Sequence, residues 1–353
     1  MTDAGCEAGF ATCGGGSACA TNLSSDSANC GACNHSCKGG ACFSGVCQPF
    51  AIASGLDAPQ ASEIAIDDTY VYFSAALLNG VTTSTLYRVA KAAADASGSS
   101  TPLFVGPASQ SVRGVALRAT DVFWTVNGIS ANTGKVQFVP RAGGAAMDFA
   151  TGESSPYGLA TDNVAVYWLA AGGTPAVRKK PINGSATTIV GSIANPTRIA
   201  TNGASVYYAA NGIVSMASVA GANPTVIAGT GGNIISKIFL TSTAMYWSNY
   251  YNTNEILTAT LAGTNAKTLY TGASAAMSVA VDADNAYAVF QGTPPAQFKD
   301  GVLVKIPLNG MDKPAVIATI SFPQAVAVDA DSIYVTGSSY NVAKTGTLWR
   351  VAK

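Results

Sequence analysis

The chain has 353 residues, and its 19 basic and 19 acidic side chains cancel, so no net field draws it to nucleic acid or to an anionic membrane surface. Charged residues are 11% of the total, against roughly a quarter in ordinary globular proteins. No apolar run nears the roughly 18 residues needed to span a bilayer. Nucleic-acid partners and a membrane span are thereby excluded, and a soluble, monomeric protein with a neutral polar surface is expected.

All eight cysteines lie in the first 47 residues: Cys6, Cys13, Cys19, Cys30, Cys33, Cys37, Cys42 and Cys47. This short segment has too few apolar side chains to build a core, so an even cysteine count predicts a module held by four disulfides and an oxidising compartment. Spacing alone leaves the pairing open. Zinc would need a second C-x2-C pair, and haem attachment would need His directly after Cys33, where Asn34 stands. The opening MTDAGC lacks the basic and apolar regions of a signal peptide, so an exported protein is expected to be read here in trimmed form.

The string NCGACNHSCKGGACFSGVC (29 to 47) resembles the cysteine-rich motif of the plant stigma-specific protein family, also found in secreted proteins of myxobacteria. The resemblance covers about the first 45 residues. It implies export and brings no catalytic residues. Two domains are expected, at 1–47 and 48–353.

From Gln48 onward one unit recurs: a small apolar strand, an Asp or Asn turn, then an aromatic strand. The copies are EIAIDDTYVYF (from 63), GVALRATDVFW (114), GLATDNVAVYW (158), RIATNGASVYY (198), KIFLTSTAMYW (237), SVAVDADNAYAV (278) and AVAVDADSIYV (325). Their anchors Tyr72, Phe123, Tyr167, Tyr207, Tyr246, Tyr287 and Tyr334 fall 39 to 51 residues apart, the length of one propeller blade. Third strands such as TLYRVAK and fourth strands such as TPLFVG complete each unit.

The predicted fold is therefore all-β: a seven-bladed β-propeller. The seventh unit stops after its third strand, and QPFAIASG (48 to 55) supplies the missing outer strand, closing the ring from the N-terminal side. Small residues (Ala65, Ala116, Ala160, Ala200, Ala280 and Ala327) suit the crowded axis, while the aromatics, Trp124, Trp168 and Trp247 included, are expected to fill the gaps between blades. The units resemble YWTD and NHL-type propeller repeats over 48 to 353. That resemblance implies architecture. YWTD receptor propellers have six blades, so their ligand surfaces do not transfer.

The only histidine is His35, so the propeller has no imidazole for acid–base work and no thiol nucleophile. Streptogramin lyases are similar in having seven blades but use a channel-mouth histidine that this chain lacks. The turn residues Asp67, Asp68, Asp162, Asp282, Asp284, Asp329 and Asp331 read as turn chemistry. Structural calcium at 282–284 or 329–331 is the alternative, and no other cofactor is expected.

Ligand groups are expected at the channel mouth on the opposite face, where the inner strands begin with Glu63, Gly114, Gly158, Arg198, Lys237, Ser278 and Ala325, flanked by Arg113 and Gln324. Loops at 74–85, 125–134, 248–255, 291–301 and 336–346 add Tyr250, Tyr251, Phe298 and Tyr340, aromatic faces suited to sugar or protein. Two functions follow as expectations. The first is a secreted or cell-surface protein binding a protein or carbohydrate through Arg113, Arg198, Lys237, Tyr250, Tyr251, Gln324 and Tyr340. The second is a hydrolase or lyase with Glu63 as acid or base and Arg198 or Lys237 stabilising charge.

Overall fold

The computed structural model describes residues 6–14, 19–76, 84–96, 100–107, 110–128, 130–221, 223–229 and 231–353, with backbone alone at 58–62 and 76. Most of the loop predicted at 74–85, and Ile129 of the loop at 125–134, lie outside the described residues.

Seven four-stranded antiparallel sheets follow one another around a ring. Blades 1 to 6 occupy 58–105, 111–153, 156–191, 196–228, 235–271 and 276–319, each running outward in chain order. Blade 7 departs from that order: Ala325–Val328, Ser332–Gly337 and Gly346–Ala352 are completed by Phe50–Leu56 from the N-terminal side. The register sets Trp349 opposite Ala51 and Leu348 opposite Ala53. Ile52 is wholly buried and packs in one cluster with Leu348, Tyr334 and Ile64, joining blades 7 and 1. The ring therefore has no open seam.

The repeat sets one register throughout. Ala65 faces Tyr72, Ala116 Phe123, Ala160 Tyr167, Ala200 Tyr207, Phe239 Tyr246, Ala280 Tyr287 and Ala327 Tyr334. Trp124, Trp168 and Trp247 are buried in clusters that span neighbouring blades. Each thus fills the space between neighbouring sheets.

The turns between first and second strands do two jobs at once. In Asp67, Asp162, Asp282 and Asp329 one carboxylate oxygen accepts two backbone N–H groups of its own turn. The other oxygen accepts the hydroxyl of Tyr72, Tyr167, Tyr287 or Tyr334, at 2.8, 2.9, 3.2 and 3.0 Å. Asn202 and Thr241 bind the backbone the same way in blades 4 and 5. Burial works against ionisation of Asp67, Asp282 and Asp329. Their hydrogen bonds and cationic neighbours nevertheless hold all three below the usual carboxylate range. Burial first, then the adjacent carboxylate, pushes the four phenols up.

The cysteine-rich segment carries four disulfides, Cys6–Cys19, Cys13–Cys33, Cys30–Cys42 and Cys37–Cys47. It rests against the end of the third strand of blade 7. Ala352 packs on Cys30, Cys37 and Cys47, Arg350 donates to the carbonyl of Lys38, and Lys38 faces Asp331 at 3.7 Å. Among the described residues no helix is long and apolar enough to cross a membrane.

Candidate ligand-binding face

At the channel mouth the first strands of blades 1, 4 and 5 bring three charges together. Glu63 Oε2 lies 3.2 Å from Lys237 Nζ, and Glu63 Oε1 lies 3.7 Å from Arg198 Nε. Glu63 and Arg198 are buried. Blades 1 and 5 are not neighbours in the ring, so this ion pair crosses the channel, where their inner strands approach each other. Arg198 is held further by the carbonyls of Ser236 and Thr197. Both carboxylate oxygens of Glu63 thus face cations.

Arg113, on blade 2, is not part of that triad. Its guanidinium lies 5.5 Å from the centroid of the Tyr157 ring, and the guanidinium of Arg198 lies at the same distance. Gln324 and Ser278 are buried on blades 7 and 6, and Gln324 Nε2 and Ser278 Oγ have no hydrogen-bond partner among the described residues. The mouth is laced from blade to blade by hydroxyls. Ser74 donates to the carbonyl of Arg113, Thr125 to Tyr157, Thr197 to Ile235 and Ser236 to Ala276.

The loops of blades 6 and 7 enclose a cavity of about 620 Å3 on the same face, lined by Pro294, Phe298, Lys299, Ser321, Ser339 and Tyr340 among others. Phe298, Phe322 and Tyr340 form one aromatic cluster, with ring centroids 4.5 to 5.2 Å apart. Gln297, Phe298 and Phe322 all have positive φ, at 53°, 59° and 43°. Left-handed backbone is costly for bulky side chains, about 1–3 kcal/mol each, and collects at ligand clamps.

The surrounding hydrogen bonds impose it. Asp300 accepts from both the backbone and the hydroxyl of Thr293, and Phe322 N–H donates to the carbonyl of Phe298. Thr345 Oγ1 accepts from Ser339 N–H and donates to the carbonyl of Val342. Gly292, at φ 93°, lets the loop fold onto itself, since a Cβ there would stand 2.6 Å from Asp300 Oδ1. The cavity is thus a preorganised one.

The other loop aromatics are separated from it. Tyr250 is half-buried and packs on the core shared by blades 6 and 7, while Tyr251 is exposed. The tyrosine pair therefore presents one free ring. Sequence reasoning passed over Phe322, Tyr157 and Asp57. Asp57 is buried, 2.7 Å from Lys344 Nζ, and accepts from the hydroxyls of Thr85 and Tyr87. Asp57 and Tyr157 sit where the other blades carry different residue types, and that departure from the repeat is the signal that marks them.

The turn carboxylates considered for calcium have cationic neighbours. Lys353 Nζ lies 2.5 Å from Asp282, and Lys91 Nζ lies 2.8 Å from Asp329. A metal ion would have to displace these ammonium groups.

No family model and no curated protein matches the sequence. Among solved structures the chain is similar to one in the mitotic checkpoint complex, with TM-score 0.61 and 12% identity over 87% of this chain and 92% of that one. It is also similar to the computationally designed Ika8 protein, with TM-score 0.52 and 13% identity over 86% and 100%. A chain of a nidogen/laminin complex follows at TM-score 0.49 and 19% identity, over 64% and 92%. Likeness at such identities speaks to the fold alone.

Proposed function

We propose that this is an extracellular binding protein that takes a protein or carbohydrate ligand on the loop face of its propeller, in the cavity between blades 6 and 7. The observation that carries this reading is the aromatic cluster of Phe298, Phe322 and Tyr340, two of whose rings are presented from left-handed backbone. Aromatic faces flanked by Ser321, Ser339 and Lys299 suit the C–H face and hydroxyls of a sugar ring, or an apolar side chain of a protein with polar neighbours.

The four disulfides support an oxidising compartment. Residues 1–47 then act as a spacer or cap on the opposite face, and 48–353 as the binding domain. Glycan-array and pull-down experiments with the wild-type chain and a Phe298→Ala, Tyr340→Ala double variant test this. A ligand held by the wild type and lost by the variant supports the reading, and a ligand held equally by both contradicts it.

A further inference from the structure

A second cavity opens where the hairpin between the second and third strands of blade 4 meets the link to blade 5. It measures about 460 Å3 and is lined by Asn195, Thr197, Asn211, Asn233 and Ile234 among others. The sequence builds its rim. Ala210 pairs with Ile213 across the two-residue turn Asn211–Gly212, whose φ angles of 50° and 74° are those of a type I′ hairpin, the turn that Asn-Gly favours. Gly212 is required for a second reason, because a Cβ there would stand 2.5 Å from the carbonyl oxygen of Asn233. Hairpin and link therefore meet backbone to backbone at one edge of the cavity.

Polar atoms of this rim are left unmatched. Asn195 Nδ2 donates to Asn211 Oδ1 at 2.8 Å, which leaves the carbonyl oxygen of the first amide and the N–H groups of the second without a partner among the described residues. Both residues are exposed. Asn233 Oδ1 is buried and also lacks a hydrogen-bond partner among the described residues, a costly state for an acceptor. No charged side chain is among the described residues that line the cavity. Apolar surface stands beside these amides: Ile234 is 46% exposed and Tyr251 57%. Tyr250 N–H donates to the carbonyl of Ile234, and Asn252 Nδ2 to that of Gly232. The turn carrying Tyr251 is thus tied on both sides to the link that lines the cavity.

We propose that this cavity binds a neutral saccharide, such as the terminal sugar of a glycan, through the amides of Asn195, Asn211 and Asn233, with Ile234 and Tyr251 beside its C–H face. Uncharged amides both donate and accept hydrogen bonds, as sugar hydroxyls do, so each group can meet the other in either sense. A charged ligand would lose hydration here and gain no counter-charge. A branched apolar side chain and an aromatic ring next to convergent polar groups match a molecule with one hydroxylated and one apolar face. This site shares no residue with the cavity between blades 6 and 7 and stands whether or not that cavity binds anything.

The test uses the full chain with free glucose, galactose, mannose, N-acetylglucosamine and glucuronic acid as probes, followed by saturation-transfer difference NMR. Saturable binding of at least one neutral sugar is expected, weakened about threefold to tenfold in Asn211→Gly by the loss of an uncharged hydrogen bond. Glycine adopts positive φ readily, so this variant keeps the turn and removes the amide. In the wild type the bound sugar should slow amide hydrogen exchange at residues 211–213 and 232–235, a readout that needs no variant. The assignment is overturned by the absence of a saturable signal from every neutral sugar, by equal binding in wild type and Asn211→Gly, or by glucuronic acid held more tightly than glucose. Protection confined to residues 291–301 and 336–346 overturns it as well, since the sugar then occupies the aromatic cavity.

Discussion

The Nε2 of His35 lies 2.7 Å from the carbonyl oxygen of Lys353, and its Nδ1 lies 2.5 Å from that of Cys30. The single histidine of the chain thus ties the disulfide-bonded segment to the last residue of blade 7. Lys353 in turn reaches Asp282 of blade 6 and the carbonyl of Asp329. His35→Ala should loosen this contact, with a loss of about 1–3 kcal/mol for the hydrogen bonds. Faster hydrogen exchange at residues 350–353, with the rest of the propeller unchanged, is the expected result.

Closure of the ring depends on Phe50–Leu56. Ile52 is wholly buried between blades 7 and 1, so Ile52→Ala should cost about 2–5 kcal/mol as the cavity it leaves stays unfilled. Deleting residues 49 to 55 removes the whole outer strand of blade 7 and should lower the melting temperature far more. A deletion that melts like the wild type would contradict closure at this seam.

Stability should fall at both ends of the pH scale, for opposite reasons. Asp67, Asp282 and Asp329 ionise at lower pH in the folded chain than in the unfolded one. Between the two values the unfolded chain binds more protons, so their contribution is present above about pH 4 and is lost as pH falls through the folded values. The phenols of Tyr72, Tyr167, Tyr287 and Tyr334 are shifted upward instead. Their contribution is present below about pH 10 and declines above it. Chemical denaturation across pH should show a plateau between these limits, and Tyr334→Phe should reduce the alkaline loss.

Reduction should separate the two parts of the chain. The disulfides close loops of 10 to 20 residues, each worth about 3 kcal/mol to a segment without its own core. The propeller contains no cysteine. Reductant should make residues 6–47 sensitive to protease while the propeller keeps its β circular dichroism. Peptide mapping without reductant checks the pairing itself.

The parts of the molecule that obey the repeat could be read from the sequence. Register followed from the seven aromatic anchors, because strand periodicity and blade length together leave one way to pair Ala65 with Tyr72 and each of their counterparts. The closing strand was legible because blade 7 visibly lacked one. Disulfide pairing was not, since spacing does not choose among partners. The aromatic cavity was half legible: Phe298 and Tyr340 stood out as loop aromatics, but Phe322 lies in a short link between strands. Left-handed backbone, which no periodicity encodes, turns it toward them. Tyr157 was hidden differently, within a regular first strand whose neighbours are buried, where only its departure from the residue types of the other blades marks it.

The central claim is that ligand engages the loops of blades 6 and 7. Hydrogen exchange of the full chain, with and without the glycan or protein recovered in the array and pull-down experiments, tests it most directly. Protection concentrated at residues 291–301 and 336–346 is the predicted result. Protection confined to the Asp–Tyr turns of the opposite face, or to residues 6–47, would contradict it.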